Sequence, residues 1–324
     1  MATLKVSARA YAIQGLVKYH GLKNAKLRIP YHDSISVCMK SLDTVTTVET
    51  GNRLQRDRIL INGTVPTTGE ELRARVVIDK LRELGGQKTR VRVESRNANV
   101  KGKGLGFSAS GFAALGLASS KALGLSLEPR ELSEVVRLGA GSATRSLVGG
   151  FSIWYANRKG RSYAEQLASA SSIGLRTLIV PIPSNIKTDR AHADVLTSPF
   201  FKARLAYVKG VVQKMRRAIA RKDASEVSRL AEVDTLNLHA ITMTGRLETV
   251  LVSPLSIRIM EEVHKLRLEE GVPVWYSLDT GPSVFINTIP KAASMVERRI
   301  KTLSDSVLSS DPGGPAQIIS RHLF

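Results

Sequence analysis

A glycine-rich segment between a strand-like run and a run of small residues constrains the fold of this chain more than any other stretch. Residues 90–95 alternate apolar and polar side chains as a strand does, and residues 111–121 favour a helix. Glycines between them allow positive φ and close approach of a ligand, and a helix N-terminus directs free N–H groups at an anion. The pattern predicts an anion-binding loop, although it is neither a P-loop nor a dinucleotide fingerprint, and a basic surface turn is the alternative. The loop positions are Lys101, Gly102, Lys103, Gly104 and Gly106.

Length and charge limit the classes of protein to which the chain can belong. With 324 residues, 43% of them hydrophobic, it is long enough for two domains or one two-lobed domain. It carries 48 basic and 28 acidic residues, a formal net charge of +20. Because the basic residues are dispersed and only 5% of residues are aromatic, we expect a small polyanionic substrate and no nucleic acid partner.

Cysteine content and apolar runs bear on the compartment and on the kinds of site. Cys38 is the only cysteine, which excludes a disulfide within the chain and a cysteine-rich zinc site. No apolar run approaches the ~20 residues of a membrane span, and the N-terminus lacks a signal-peptide core, so we expect a cytoplasmic protein with no membrane partner. No cluster has metal-site spacing, and we expect His20 and His32 to be hydrogen-bonded side chains, not metal ligands.

The order of the predicted elements indicates an α+β fold and not a doubly wound sheet. Strands come first, helices follow, and strand–helix pairs end the chain. The predicted strands are 4–10, 34–39, 44–50, 57–62, 90–95, 151–155, 177–181, 272–279 and 283–287. The predicted helices are 70–84, 111–121, 129–139, 142–147, 198–221, 224–239, 254–270 and 290–303.

Six stretches, in the same order along the chain, resemble motifs of one family, the mevalonate diphosphate decarboxylases. They are Val17–Gly21, Ile29–Ser36, Gly104–Gly111, Gly141–Gly150, Asp234–His239 and Leu278–Pro282. The resemblance implies the two-lobed GHMP-kinase-type fold, with a ribosomal-protein-S5-like N-terminal half, a ferredoxin-like C-terminal half and the active site in the cleft between them. We therefore predict an N-terminal lobe at 1–175 and a C-terminal lobe at 176–324. The family also suggests a homodimer.

The residues that match the family's motifs imply the roles at the site. Asp279 and Lys18 are the implied catalytic residues, and Asp279 would stabilise positive charge that develops at C3 of the substrate. Lys18 and Arg145 would hold substrate anions, and Ser142 would donate a hydrogen bond to one. The implied substrate-binding residues are Tyr19, Lys101, Lys103, Ser108, Ser142 and Arg145.

Each of these residues also has a structural interpretation that the sequence leaves open. Lys18 could be a surface lysine on an edge strand, and Arg145 could form a structural ion pair. Ser142 could cap a helix, and Asp279 could be a turn residue before Gly-Pro.

The chain departs from the family pattern where relatives bind ATP. Val100 replaces a proline of the glycine loop, and Phe107 replaces the first of two serines. A phenyl ring cannot donate a hydrogen bond to a triphosphate. Upstream, residues 12–13 are Ala-Ile where a Thr-Asn pair is usual. His20 stands in place of a tryptophan, and Leu22 in place of a second lysine.

The residues that match the family's substrate-binding motifs are retained, while the stretches where relatives bind ATP are altered. This combination favours a decarboxylase that needs no ATP. A substrate already phosphorylated at C3 needs only cations that stabilise the departing phosphate, and Lys101 and Lys103 would supply them. We therefore expect conversion of mevalonate 3,5-bisphosphate to isopentenyl phosphate, phosphate and carbon dioxide without a cofactor, as in a branch found in some acid-loving archaea. The alternatives are an ATP- and magnesium-dependent diphosphomevalonate or phosphomevalonate decarboxylase, a small-molecule kinase of the same superfamily, and a non-catalytic RNA-associated protein.

Overall fold

The computed structural model describes residues 4–51, 54–185 and 188–324, and within these residues helices pack around two main sheets. The described strands are β1 (Leu4–Val17), β2 (Leu22–Asn24), β3 (Ile29–Pro30), β4 (Ser34–Thr50), β5 (Arg58–Ile61), β6 (Val91–Asn97), β7 (Phe151–Trp154), β8 (Ala164–Ala168), β9 (Arg176–Val180), β10 (Val274–Ser277), β11 (Val284–Thr288), β12 (Leu308–Ser310) and β13 (Gln317–Ile319). The described helices are α1 (Thr68–Leu84), α2 (Phe107–Ala122), α3 (Pro129–Gly139), α4 (Ala143–Val148), α5 (Thr188–Asp194), α6 (Phe201–Ala220), α7 (Ala224–Met243), α8 (Pro254–Leu268) and α9 (Pro290–Lys301), with 3₁₀ turns at Ala170–Ser172 and Val195–Thr197. None of these helices combines the length and apolar content that a membrane span requires. The α+β prediction is confirmed.

Two long strands, β1 and β4, organise the larger sheet. They pair antiparallel over almost their whole length. β6 extends the sheet on the other side of β4, β5 pairs parallel to β6, and β7 and β8 continue from the first part of β4. β13 pairs with β1, so the end of the chain returns to the sheet in which it began. The predicted boundary between lobes at residues 175 and 176 stays a prediction.

The prediction of separate strands at 34–39 and 44–50 is wrong, because β4 runs through both without a break. Residues 39–42 leave the ladder with β1, and residues 39–41 pair instead with the segment 310–312 near the end of the chain. These pairs satisfy backbone groups that would otherwise interrupt the strand. A partner more than 250 residues away leaves no trace in the local alternation of side chains, so the sequence pattern could not reveal it.

The smaller sheet has the antiparallel order β10–β11–β9–β12. Helices α8 and α9 cover one of its faces, while α6 and α7 lie between the two sheets. One buried apolar cluster joins the sheets through these two helices, so both halves share a continuous core. It includes Leu16 of β1, Val37 of β4, Ile179 of β9, Met215 of α6 and Phe285 of β11.

Helix α2 begins at Phe107, earlier than the predicted start at Gly111. Its N-cap is Gly106, which has a φ of 80°, and a Cβ there would lie 2.6 Å from the carbonyl oxygen of Ile13 in β1. Only glycine tolerates both this φ and this close approach. The glycine loop is therefore held against β1, and Ser108 lies in the first turn of the helix.

We expect Gly116 to be essential for the packing of α2 on α3. A Cβ at Gly116 would overlap the side chain of Val136 on α3, whereas one at Gly111 of the same helix would meet open space. Gly116→Ala should lower the free energy of unfolding by about 1–3 kcal/mol through overpacking. Gly111→Ala, the matched control, should raise it by up to about 1 kcal/mol through helix propensity. Urea unfolding measures both, and equal stability of the two variants would contradict the close contact.

Candidate active site

The carboxylate of Asp279 joins the smaller sheet to the larger one. Asp279 follows β10, and its two oxygens accept the backbone N–H of Gly15 in β1 at 3.0 and 3.2 Å. Burial raises the pKa of this carboxyl, while the charge of Lys18 and the hydrogen bond from Gly15 act in the opposite direction. A carboxylate with raised proton affinity at a fixed place can accept a proton or stabilise positive charge.

Gly15 provides the space that Asp279 occupies. A Cβ at this position would lie 2.9 Å from Asp279 Oδ1 and 2.9 Å from Lys18 Cγ. The β1–β4 register also shifts between Gly15 and Val17, so the regular ladder is interrupted beside the site. Glycine within a strand often marks such a close approach, so Gly15 is a sequence signal for this part of the site.

Lys18 lies directly after β1 and is only 4% exposed. Its ammonium donates to the Gly15 carbonyl at 2.9 Å, the Ser277 hydroxyl at 2.9 Å and the Ala231 carbonyl at 3.3 Å. These acceptors use all three N–H groups of an ammonium. Burial lowers the pKa of Lys18, while the neighbouring carboxylates, Asp279 foremost, raise it. In this arrangement Lys18 acts on Asp279 through its charge. A direct bond from Lys18 to a substrate anion would have to replace one of these three hydrogen bonds.

Arg145, on α4, is 2% exposed. Within the described residues its Nε and Nη1 have no hydrogen-bond acceptor, and no carboxylate pairs with it. Its guanidinium carbon lies 5.5 Å from the ring centre of Tyr19 and 5.9 Å from that of Trp154. Burial lowers the pKa of Arg145, while Tyr19 and Asp279 oppose this effect. A buried cation with unused donors is costly until an anion pairs with it, so the geometry favours an anion-binding role over a structural ion pair.

Tyr19 lies beside Arg145 and the start of α4. Its ring meets the edge of Trp154 at 4.8 Å between centroids and stacks on His192 at 4.9 Å. A Cβ at Gly141 would overlap the ring of Trp154 and lie 2.9 Å from the Tyr19 hydroxyl oxygen, so this glycine makes room for both side chains. Ser142 follows it at the N-cap position of α4, where its side chain makes no capping hydrogen bond.

The glycine loop packs against the turn that follows Asp279. Gly104 has a φ of 87°, and a Cβ there would lie 3.1 Å from the backbone nitrogen of Gly281. The Lys103 carbonyl accepts the backbone N–H of Ser283 at 3.3 Å, just beyond this turn. The loop and the N-terminus of α2 therefore lie next to the segment that carries Asp279.

The side chains of the loop differ in their surroundings. Lys101 and Ser108 are exposed, and Lys103 is half-buried. No hydrogen bond or ion pair links these three side chains to other described residues, so the structure does not bring Lys101 or Ser108 into contact with Asp279. Phe107 is half-buried and packs against the apolar cluster between the sheets.

Two histidines close to the site have backbone and hydroxyl partners. His20 Nδ1 lies 2.6 Å from the Tyr19 carbonyl, its Nε2 lies 3.1 Å from the Thr280 hydroxyl, and its ring stacks on His192 at 4.1 Å. Burial holds the pKa of His20 well below its usual value, and His192 adds to this effect. Burial lowers the pKa of His32 to about 4. Among residues 4–51, 54–185 and 188–324, no group of three or more His, Cys, Asp or Glu side chains could hold a metal ion.

Folding brings together Tyr19, Lys18, Arg145 and Asp279 from the predicted set, with Ser142 beside them. Several residues that shape this group could not be recognised from the sequence motifs. The motif at 234–239 does not by itself indicate a role for its members. In the sequence, Arg204 looks like any exposed arginine of a basic helix, although the structure buries it. The missed residues are Gly15, His192, Arg204, Thr235, Ser277 and Thr280.

Family models match both halves of the chain. The diphosphomevalonate decarboxylase-like N-terminal domain matches residues 10–164, and the mevalonate 5-diphosphate decarboxylase C-terminal domain matches residues 187–312. The phosphomevalonate decarboxylase of Haloferax volcanii is 39% identical over 98% of both chains. The diphosphomevalonate decarboxylase of Saccharomyces cerevisiae is 29% identical over 90% of this chain and 79% of its own.

Solved structures show the same architecture over nearly the whole chain. The mevalonate diphosphate decarboxylase of Staphylococcus aureus superposes with a TM-score of 0.91 at 28% identity, covering 98% of this chain and 99% of its own. That of Enterococcus faecalis, whose structure concerns ATP binding mediated by mevalonate diphosphate, has a TM-score of 0.90 at 27% identity and the same coverage. These relatives and structures identify a carboxy-lyase with the two-domain GHMP-kinase fold. The chain belongs to the diphosphomevalonate decarboxylase family, the decarboxylases of the mevalonate pathway.

Removing the charge of Lys18 should shift the pH dependence of the reaction. The Lys18 ammonium favours the ionised form of Asp279 and so lowers the pKa of that carboxyl. In Lys18→Met this pKa should rise, and the acidic limb of the kcat profile should move to higher pH by about 1 unit or more. Lys209→Met, which removes an exposed lysine of α6, is the control. An acidic limb at the wild-type pH in Lys18→Met would contradict the coupling.

Proposed function

We propose that the chain decarboxylates a mevalonate that carries a single phosphate at C5 and releases isopentenyl phosphate. The main support is the 39% identity, over 98% of both chains, to a protein named phosphomevalonate decarboxylase. Relatives named diphosphomevalonate decarboxylases, such as those of yeast and human, are 29% identical.

The residues after Lys18 also favour a smaller anion at C5. Leu22 stands where the family has a second lysine, and His20 stands where it has a tryptophan. Leu22 is half-buried, while the adjacent Lys23 is exposed. One cation fewer at this place suits one phosphate better than two, because each phosphate needs its own charge compensation.

Arg145 would hold the substrate carboxylate. Its unused Nε and Nη1 donors can each bind an oxygen of an anion, and the rings of Tyr19 and Trp154 flank the guanidinium. Ser142 would donate a hydrogen bond from the same side. Such an arrangement orients the bond between C1 and C2 that breaks in the reaction.

Asp279 would accept the proton of the C3 hydroxyl while that oxygen takes the γ-phosphoryl group of ATP. The C3–O bond then breaks and phosphate leaves. The electron pair of the C1–C2 bond forms the double bond between C2 and C3, and carbon dioxide is released. The balance is mevalonate 5-phosphate and ATP to isopentenyl phosphate, ADP, phosphate and carbon dioxide. The observation that carries this ATP-dependent version is the Asp279 carboxylate, which the Gly15 N–H holds in place and whose pKa is raised by burial.

The ATP-independent version preferred on sequence grounds becomes the second candidate. It would convert mevalonate 3,5-bisphosphate to isopentenyl phosphate, phosphate and carbon dioxide with no cofactor. The glycine loop supports it, because Phe107, which packs against the apolar cluster, stands where a hydroxyl is usual, and two lysines without ion pairs in the described structure are available. It ranks second because Asp279 would then have no hydroxyl proton to accept.

Release of carbon dioxide from three substrate mixtures tests the proposal. The mixtures are mevalonate 5-phosphate with ATP and magnesium, mevalonate 5-diphosphate with ATP and magnesium, and mevalonate 3,5-bisphosphate without nucleotide. We expect turnover of the first, with kcat/KM about 10²-fold above the second. Turnover of the third alone would establish the ATP-independent version. Equal turnover of the first two would overturn the assignment of a monophosphate at C5.

Lys103, the half-buried lysine of the glycine loop, should contribute to binding of the phosphoryl donor. Under the ATP-dependent version, Lys103→Ala should raise KM for ATP about tenfold, with KM for the mevalonate substrate changed less than twofold. Lys121→Ala, an exposed lysine at the other end of α2, is the control. A higher KM for the mevalonate substrate alone would count against a nucleotide-binding loop.

The homodimer suggested by the family stays a prediction, which light scattering on the purified chain would measure.

A further inference from the structure

The motif at 234–239 on α7 has no part in the chemistry described so far, yet Asp234 is completely buried together with Arg204 of α6. Arg204 Nη1 donates to Asp234 Oδ1 at 2.6 Å, and Nη2 lies 3.2 Å from Oδ2. Asn237, one turn later on α7, accepts a further bond from Nη1 at 2.8 Å. Buried ion pairs add little net stability, because desolvation offsets the attraction. Another role for the pair is therefore worth seeking.

The pair holds the backbone of Lys18 on both sides of its Cα. Asp234 Oδ2 accepts the Lys18 N–H at 2.7 Å, and Arg204 Nη2 donates to the Lys18 carbonyl at 2.6 Å. Lys18 needs these partners because β1 ends at Val17, the last residue paired with β4. The ion pair thus replaces the sheet as the support for this residue.

Thr235, the next residue of α7, holds the segment that carries Asp279. Its hydroxyl accepts the backbone N–H of Leu278 at 3.3 Å and lies 3.3 Å from the Ser277 hydroxyl. Ser277 in turn accepts the ammonium of Lys18. Helix α7 therefore contacts both members of the Lys18–Asp279 pair. Asp234 binds the backbone of Lys18, and Thr235 binds the backbone of the residue before Asp279.

We propose that Asp234, Arg204 and Thr235 are positioning residues that set the distance between Lys18 and Asp279. The proposal rests on the catalytic roles given above to Lys18 and Asp279. None of the three residues needs to touch the substrate, and their effect passes through the two that do the chemistry. The ion pair is then retained for the geometry of the site and not for stability.

A second ion pair of α7 provides a matched control. Glu232 is 6% exposed, binds both Nη atoms of Arg267 at 2.8 and 3.0 Å, and accepts the backbone N–H of Tyr276 at 2.9 Å. It supports β10 from the same helix. Among the described contacts it reaches neither Lys18 nor Asp279.

Replacing each of the two ion pairs by apolar side chains tests whether the pair supports the fold or positions Lys18 and Asp279. Such replacement often preserves stability, so both double variants should fold. Arg204→Met with Asp234→Leu should lower kcat about 10²-fold, since a displacement near 1 Å can cost that much. Its substrate KM should change less than threefold, because Arg145 is untouched. Arg267→Met with Glu232→Leu should keep kcat within threefold. Equal kcat losses in the two double variants, or wild-type kcat in the first, would overturn the proposal.

Thr235 supplies a test that does not depend on replacing charges. Thr235→Val removes the hydroxyl at nearly constant volume, and Thr235→Ser restores it. We expect Thr235→Val to lower kcat about tenfold and to move the acidic limb of its pH profile upward, with Thr235→Ser close to wild type. A wild-type kcat and pH profile in Thr235→Val would refute the positioning role, even if the double variants fail to fold.

A measurement without substrate distinguishes failure of this inference from failure of the proposed function. Carbon-13 NMR of labelled aspartate reports the pKa of the Asp279 carboxyl directly, with Asp279→Asn identifying its resonance. A higher Asp279 pKa in Thr235→Val than in Thr235→Ser supports the inference even if every substrate mixture fails. The same pKa in both contradicts it, whichever substrate is turned over.

Discussion

The hydrogen bond from the Gly15 N–H to the Asp279 carboxylate is the contact on which the arrangement of the site depends. It joins the last part of β1 to the segment just after β10 across 264 residues of sequence. A carboxylate reaches such a place only if other groups offset its loss of water. The ammonium of Lys18 and the N–H of Gly15 do so in part, and the remaining effect of burial leaves Asp279 with a raised proton affinity.

Among the residues that the structure describes, the buried charges around this contact do not balance. Asp279 and Asp234 are the carboxylates, and the cations are Lys18, Arg145 and Arg204. Arg204 is paired with Asp234, and Lys18 has three acceptors of its own. The excess positive charge therefore rests on Arg145. An anionic substrate would supply the missing partner, so its binding energy and the stability of the protein are linked at this residue.

Membership of the decarboxylase family determines the reaction class, and what distinguishes this chain lies at two separate places. Under the proposed function, Leu22 would limit how much negative charge the site accepts at C5. Lys103 and Phe107 would bear on where the phosphate at C3 comes from. The two proposed versions of the reaction share isopentenyl phosphate as product, because in both the substrate carries a single phosphate at C5.

Much of the fold followed from local signals. Helix α3 spans the predicted residues 129–139, because proline at its first position, acidic residues near its start and apolar spacing all act within the segment itself. The glycine loop was recognisable for the same reason. Sequence thus determined most elements, their order, the family and the residue types at the site. Only the tertiary structure decided that β4 is continuous, that Arg204 is buried beneath Lys18, and that Asp279 binds protons more tightly than an exposed aspartate. The continuity of β4 depends on a partner far away in the chain, and the other two properties depend on burial. No local pattern encodes a distant partner or the loss of water on burial.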